Sequence, residues 1–196
     1  MSARRTSQQG FGLVEVLVAI TIFLVALVGG AALLTNAKQT EFDSHQRTLA
    51  TQIGNTIIDR IRTNVGAASS YERALNNPIG RNALGASPAN DCMSSTCSAA
   101  QLAGYDLWDV EQLLDGNKVM AGTQAAGGLV LPAACIVLTP ATGMTNTGRL
   151  QVVVSWEDRR ATRDAAAATV TCGNAANNAY RRQVVLDTYV LDPAEI

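Results

Sequence analysis

One carboxylate stands alone in a long apolar run. From Phe11 to Leu34, 24 residues, Glu15 is the only charged side chain. A run of that length crosses a bilayer as a helix. An acid inside such a span costs free energy, so it is read as functional, with a partner to be named. Gly10 and Phe11 stand just ahead of it, behind a polar leader, Met1 to Gly10, that carries Arg4 and Arg5. No A-x-A-like site follows Leu34, so a signal removed together with its apolar region does not fit. A cut ahead of the run would keep it as an anchor.

The other reactive residue types are weaker candidates. Cys92, Cys97, Cys135 and Cys172 all follow the run, and outside the cytoplasm they would lie where disulfides persist. Four cysteines allow three pairings. Cys92 with Cys97 is local. Cys135 with Cys172 would tie the start of a sheet to the loop before its last strand, worth roughly 3–4 kcal/mol in the chain-entropy model. These two bridges are favoured. A zinc site would need paired C-x₂₋₄-C ligands, which the spacing does not supply, and no redox C-x-x-C occurs, so no metal and no cofactor is expected. His45 is the only histidine. Its neighbours Asp43 and Ser44 point elsewhere on a helix, so they form no triad. Asp106, Asp109, Glu111 and Asp115 read as a solvated helix face; catalysis by paired carboxylates would need a cleft for which nothing else argues. They do not have the spacing of a calcium loop. Arg159, Arg160, Arg163, Arg181 and Arg182 read as mixed-charge turns with Asp158 and Asp164, and no aromatic platform accompanies them. Gly127-Gly128 lacks the Lys and helix start of a phosphate loop.

A net charge of −1 argues against charge-driven nucleic-acid binding. At 196 residues the chain has room for the anchor and one modest domain. The helical pattern continues past the anchor: Phe42, Leu49, Ile53, Ile57 and Ile61 form one face, with Arg47, Gln52, Asp59, Arg60 and Arg62 around the rest. One helix from about Phe11 to about Asn64 is therefore expected. Gly29-Gly30 is a candidate bend or a site of close helix approach. Residues 65 to 100 read as a surface loop with a helical turn near Tyr71 to Leu75. Ser98 and Gln101 stand as in a capping box. The short helix they open would turn Leu102, Val110, Leu113 and Leu114 inward, with Tyr105 and Trp108 as packing anchors, and end at Gly116. After Leu129 the period becomes that of strands. Cys135 to Thr139, Leu150 to Trp156 (half-buried) and Val184 to Leu191 would form a meander over the Ile53, Ile57, Ile61 face. Thr169 to Thr171 would add a short extra strand in this scheme, and the strand order stays open.

Gly10-Phe11-Gly12-Leu13-Val14-Glu15 resembles the class III signal of type IV pilins and pseudopilins: Gly before the cut, Phe after it, Glu four residues on. Gly12 stands where this family usually has Thr. The resemblance implies cleavage by a prepilin peptidase between Gly10 and Phe11 on the cytoplasmic side and N-methylation of Phe11. It also implies that Glu15 pairs with the amine of a neighbouring Phe11 during filament assembly. It implies an α+β, type IV pilin-like fold, a long N-terminal helix packed on a small antiparallel meander. Its parts would be a leader over 1–10, a transmembrane and filament-core helix over 11–34, and a periplasmic head over 35–196. Positive charge ahead of the span is in weak excess; the motif places the N-terminus in the cytoplasm, in the inner membrane.

Asp59-Arg60-Ile61-Arg62, the Asp-rich helix from Tyr105 to Leu114, and Trp156-Glu157-Asp158 resemble the PilV-type minor pilins, the type IV pilus modification proteins. That resemblance implies a structural subunit, not an enzyme, that primes pilus assembly or sits at the tip. Its partners would be other minor pilins, the major pilin, the prepilin peptidase, the inner-membrane assembly platform and the lipid bilayer, with no nucleic acid. It would support pilus biogenesis, adhesion and twitching motility. A type II secretion pseudopilin shares signal and anchor and is the alternative. A membrane-anchored binding module using the loop from 66 to 98 is a further one.

Overall fold

The structure, a computed structural model, describes residues 12–125, 127–161, 170–173 and 179–196. Helix α1, Leu13–Thr63, dominates the order of elements. It runs unbroken through Gly29-Gly30, and Arg60 and Arg62 in its last turn complement the negative end of the helix dipole. The chain divides into two compact units, Met1–Phe42 and Asp43–Ile196. In the first, the large apolar side chains from Leu13 to Leu34 lie exposed on the helix surface. The helix has a mean hydropathy of 2.8 over its most apolar stretch and none of that stretch is buried. In water such a surface is unstable; it requires lipid or other helices around it.

The second unit is the head, built on the amphipathic part of α1. Ile53, Ile57 and Ile61 are buried as the periodicity requires, joined by Gln46, Ala50, Gly54 and Ile58. Helix α2, Ala99–Leu114, starts on the expected capping box: Gln101 N–H donates to the Ser98 hydroxyl, and Ser98 N–H donates to the Gln101 side chain. A small hairpin follows, β1 Met120–Ala121 with β2 Gln124–Ala125. The main sheet is a meander of β3 Ala133–Pro140, β4 Gly148–Glu157 and β5 Arg181–Val190, antiparallel in the order β3-β4-β5. Its register pairs Ile136 with Val152 and Val152 with Leu186. Ile136, Leu150, Val152 and Val154 share one core with Ile53, Ile57 and Ile61 of α1 and Leu107, Val110 and Leu114 of α2. The α+β fold expected from the resemblance is what forms, and it is consistent with a type IV pilin fold.

Several expectations need correction. Residues 65 to 84 are no free surface loop. A 3₁₀-helix spans Val65–Tyr71, earlier than the turn expected at Tyr71 to Leu75, and it buries Ala67, Ala68 and Tyr71. The next segment then lies along the edge of β3, where Arg73 bridges Ile136 and Ile79 bridges Ala134. Strand β4 alternates as expected only in its first half, where Arg149 is exposed and Gln151 half-buried; from Val152 to Trp156 it is covered on both faces, Val153 and Ser155 being as buried as Val152 and Val154. A second small cluster of Ala133, Cys135, Val153 and Cys172 caps the far side. Val170 and Thr171 form no strand, and Thr169 lies outside the described residues. Leu102, Leu113, Tyr105 and Trp108 are only half-buried. The two aromatics instead pack against each other, ring centroids 5.8 Å apart.

Candidate functional site

Glu15 sits in the first turn of α1, where its N–H donates to the Gly12 carbonyl at 3.0 Å. It shares a helix face with Ala19, Ile20 and Phe23. Among the described residues no cation approaches it within ion-pair distance. Glu15 is thus a single carboxylate in an otherwise apolar stretch of helix surface. Gly10 and Phe11 lie outside the described residues.

The acids of α2 are the larger surprise. Read from the sequence as a solvated face, Asp106, Asp109 and Glu111 point inward instead. The physical reason is that each has partners. Arg60 of α1 donates from Nη1 to Asp106 at 2.7 Å and from Nη2 to Asp109. Lys118 also donates to Asp109. The buried Tyr71 hydroxyl donates to Asp106 at 2.6 Å and accepts from Asn64. Burial would raise the Asp109 carboxyl, but hydrogen bonds from Lys118 and Arg60, and their charges, hold it below its ordinary value. Burial first, then the bond to Asp106, pushes the Tyr71 hydroxyl well above its ordinary value.

Glu111 is fully buried and takes the place a bound anion would have. Its carboxylate accepts from the backbone N–H groups of Gly80 at 2.9 Å, Ala83 at 2.8 Å and Leu84 at 3.0 Å. Asp115 accepts from Arg81 at 2.7 Å and Asn82 at 2.8 Å. Gly80, Arg81 and Asn82 all have positive φ, which turns successive N–H groups to one side, the geometry of an anion nest. The acids therefore brace α2 to α1 and to the 80–84 turn. Signals for this were available. Ala103, Leu107, Val110 and Leu114 form the buried stripe, and Asp106 falls within it by spacing. Arg60 follows Ile53 and Ile57 on the buried side of α1.

Gln46, also missed, works the same way. Its amide donates to the Gly128 carbonyl at 3.3 Å and accepts from Val130 N–H at 3.0 Å. One turn earlier, Asp43 hydrogen-bonds Asp158. Burial, then Asp158, raises the Asp43 carboxyl. For Asp158 burial is outweighed by the bond from Asp43, the N–H groups of Arg160 and Arg159, and the Arg182 charge, which hold it low.

The structure joins Cys92 to Cys97, with Cα atoms 5.6 Å apart, and Cys135 to Cys172, 5.8 Å apart. Among the described residues no group of three or more metal-ligating side chains occurs. His45 is exposed. The arginines part company: Arg181 and Arg182 open β5 rather than flanking it. Arg181 is buried and donates to Ser155. Arg182 pairs with Asp158 at 3.2 Å, and Arg159 and Arg160 are exposed. Arg163 and Asp164 lie outside the described residues. The loop's Gly127-Gly128 is a crossing point: a Cβ on Gly128 would lie 2.4 Å from Gly116 N.

Residues 5–31 match the model of the prokaryotic N-terminal methylation motif. Residues 32–108 match the model of the Tt1218-like family, described as type IV pilin Tt1218. No curated protein and no solved structure matches the chain. Together with an apolar helix headed by one acid and an α+β head braced on its far half, the two adjoining matches support a type IV pilin.

Proposed function

We propose that the chain is a minor pilin of the PilV type. It is cut between Gly10 and Phe11, methylated on Phe11, anchored in the inner membrane by residues 11–34, and drawn into a pilus with its head, 35–196, outside. Glu15 would neutralise the Phe11 amine of the adjacent subunit, and an ion pair in the apolar filament core would set register between subunits. The observation that carries this reading is the lone Glu15 in an unburied apolar helix directly after Gly10-Phe11. Its partners would be other minor pilins, the major pilin, the peptidase and the assembly platform. Its role would be structural, in pilus priming or at the tip. The type IV pilin description of the matched family favours a pilus over a secretion system.

The test is the intact mass and N-terminal sequence of the mature protein, with and without the prepilin peptidase. N-methyl-Phe11, present only with the peptidase, is expected. An uncut Met1 form would overturn the assembly reading. Deleting the chain should then abolish surface pili and leave type II secretion intact; the reverse would make it a pseudopilin.

A further inference from the structure

The two edges of the main sheet differ. The outer edge of β3 is closed: Arg73 exchanges backbone hydrogen bonds with Ile136, and Ile79 with Ala134. Strand β5 forms the other edge. The Asp158 N–H donates to the Tyr180 carbonyl at 2.8 Å, in line with the pairing of Glu157 with Arg181. Alternate residues of an antiparallel strand bond the same neighbour. Even-numbered residues of β5 therefore bond β4, and Gln183, Val185, Asp187 and Tyr189 turn their N–H and C=O groups outward. Among the described residues nothing bonds these outward groups. Native edges are commonly blunted by proline, by a bulge or by charge. Residues 183–190 contain no proline, and their pairing with β4 runs without a bulge. Their one charge, Asp187, is held by Arg149 at 3.0 Å and by Gln151 at 3.1 Å.

A groove runs along this edge. Ile58, Asp59 and Arg62 of α1 form one wall, and Val185 to Thr188 of β5 the other. Its volume, about 540 Å³, can take side chains of one more strand. Both walls belong to the head. Arg62 is turned to β5 and donates to the Thr188 hydroxyl at 2.7 Å. Asp59 is exposed and makes no ion pair among the described residues. The unmatched charge of the groove is thus negative. A second β5 edge would bring another Asp59 and another Asp187, so the groove suits a basic segment better than a copy of itself.

We propose that the outer edge of β5 binds an extended segment of a different protein, added as a fourth strand, with a basic side chain in the groove beside Asp59. Main-chain hydrogen bonds to Gln183, Val185, Asp187 and Tyr189 supply the affinity, and the groove selects side chains. The surface lies within the head, so the proposal stands whichever filament system the chain serves.

The test uses the full chain in detergent micelles and a peptide as long as β5, alternating threonine and valine around a central lysine. One control peptide carries glutamate for the lysine, and another carries proline at alternate positions. Amide hydrogen exchange is read residue by residue. In the free chain the amides of Val185, Asp187 and Tyr189 should exchange freely, unlike those of Leu186 and Thr188. The lysine peptide should slow the first set roughly tenfold once free peptide stands about ten times above its dissociation constant. It should bind roughly three- to tenfold more tightly than the glutamate peptide, with the order reversed in Asp59→Lys. The proline peptide should not bind. Asp187→Pro removes one outward donor and spares the β4 ladder, so it should weaken binding, whereas Asp187→Ala keeps the N–H and should bind as the parent does. Unchanged exchange with the lysine peptide at its solubility limit overturns the proposal. So does slow exchange of the outward amides in the free chain at every concentration, which would mean an edge already covered. Protection that grows with chain concentration, without peptide, would assign the edge to a second copy and overturn it as well.

Discussion

At the scale of single residues, the head is held by charges that look solvent-facing in a one-dimensional reading. A buried ion pair is weak evidence of net stability, but removing one partner strands the other. Arg60→Ala would leave Asp106 without its cation and Asp109 with Lys118 alone. A fully buried pair would cost roughly 3–5 kcal/mol. The Arg60 side chain keeps 26% of its exposure, so about 2–3 kcal/mol is expected, read from guanidinium unfolding of the full chain in detergent. The pH dependence follows from Asp109, whose carboxyl is lowered from 3.8. Its contribution is complete above 3.8 and disappears as pH falls from there through the lowered value. Asp109→Asn should therefore flatten the acid limb of the stability curve. Asp43 has the opposite sign. Its carboxyl is raised from 3.8, so its contribution is complete below 3.8 and is lost as pH rises through the raised value. Asp43→Asn keeps a donor toward Asp158, and the variant should gain on the parent as pH goes from 4 to 7. If both variants track the parent at every pH, neither carboxyl is coupled to folding.

At the scale of elements, α1, the capped start of α2 and the three sheet strands were legible because each repeats a period. The stripe Ile53, Ile57, Ile61 and the alternation Leu150, Val152, Val154 leave little choice. What was not legible is what happens where polar residues fall on a buried face. Periodicity assigns Asp106, Glu111 and Gln46 by type, whereas the fold assigns them by partner, and Gly80, Ala83 and Leu84 cannot be recognised as donors before the turn exists. Glycine shows the same limit. Gly127-Gly128 can be dismissed as a phosphate loop from sequence, yet its purpose appears only where it crosses Gly116. Gly128 has φ +88°, and a Cβ there would sit 2.6 Å from the Leu114 carbonyl oxygen. Gly122, φ +66°, has nothing within 4 Å. Gly122→Ala should cost about 1 kcal/mol, the penalty of a left-handed backbone alone, and Gly128→Ala clearly more. Equal costs would mean that the crossing relaxes. The two disulfides differ likewise by loop length. Cys135 and Cys172 are 37 apart, Cys92 and Cys97 only 5. Replacing the first pair by alanines should cost about 4 kcal/mol and the second about 2 in the chain-entropy model, by denaturant midpoint.

At the scale of the whole molecule, the two units answer to different solvents. Every residue in the core clusters lies beyond Phe42, with Leu49 and Ala50 the first of α1 to pack. The apolar side chains of α1 up to Leu34 are about half or more exposed and contribute nothing to that core. A chain of residues 35–196 sent to an oxidising compartment therefore keeps Gln46, the Arg60 network and both disulfides. It should be soluble, with all four cysteines unreactive and one cooperative unfolding transition whose midpoint matches that of the full chain. A molten, aggregating product would show that residues before 35 contribute to the head after all. The converse change is Glu15→Leu. It removes the only charge from the apolar run, so the full chain should still enter the membrane and be cut and methylated. If Glu15 serves the pairing proposed for it, the variant should be nearly absent from sheared filaments. Its undiminished presence there would leave the carboxylate without that role, and would move recognition between subunits from the helix to the heads.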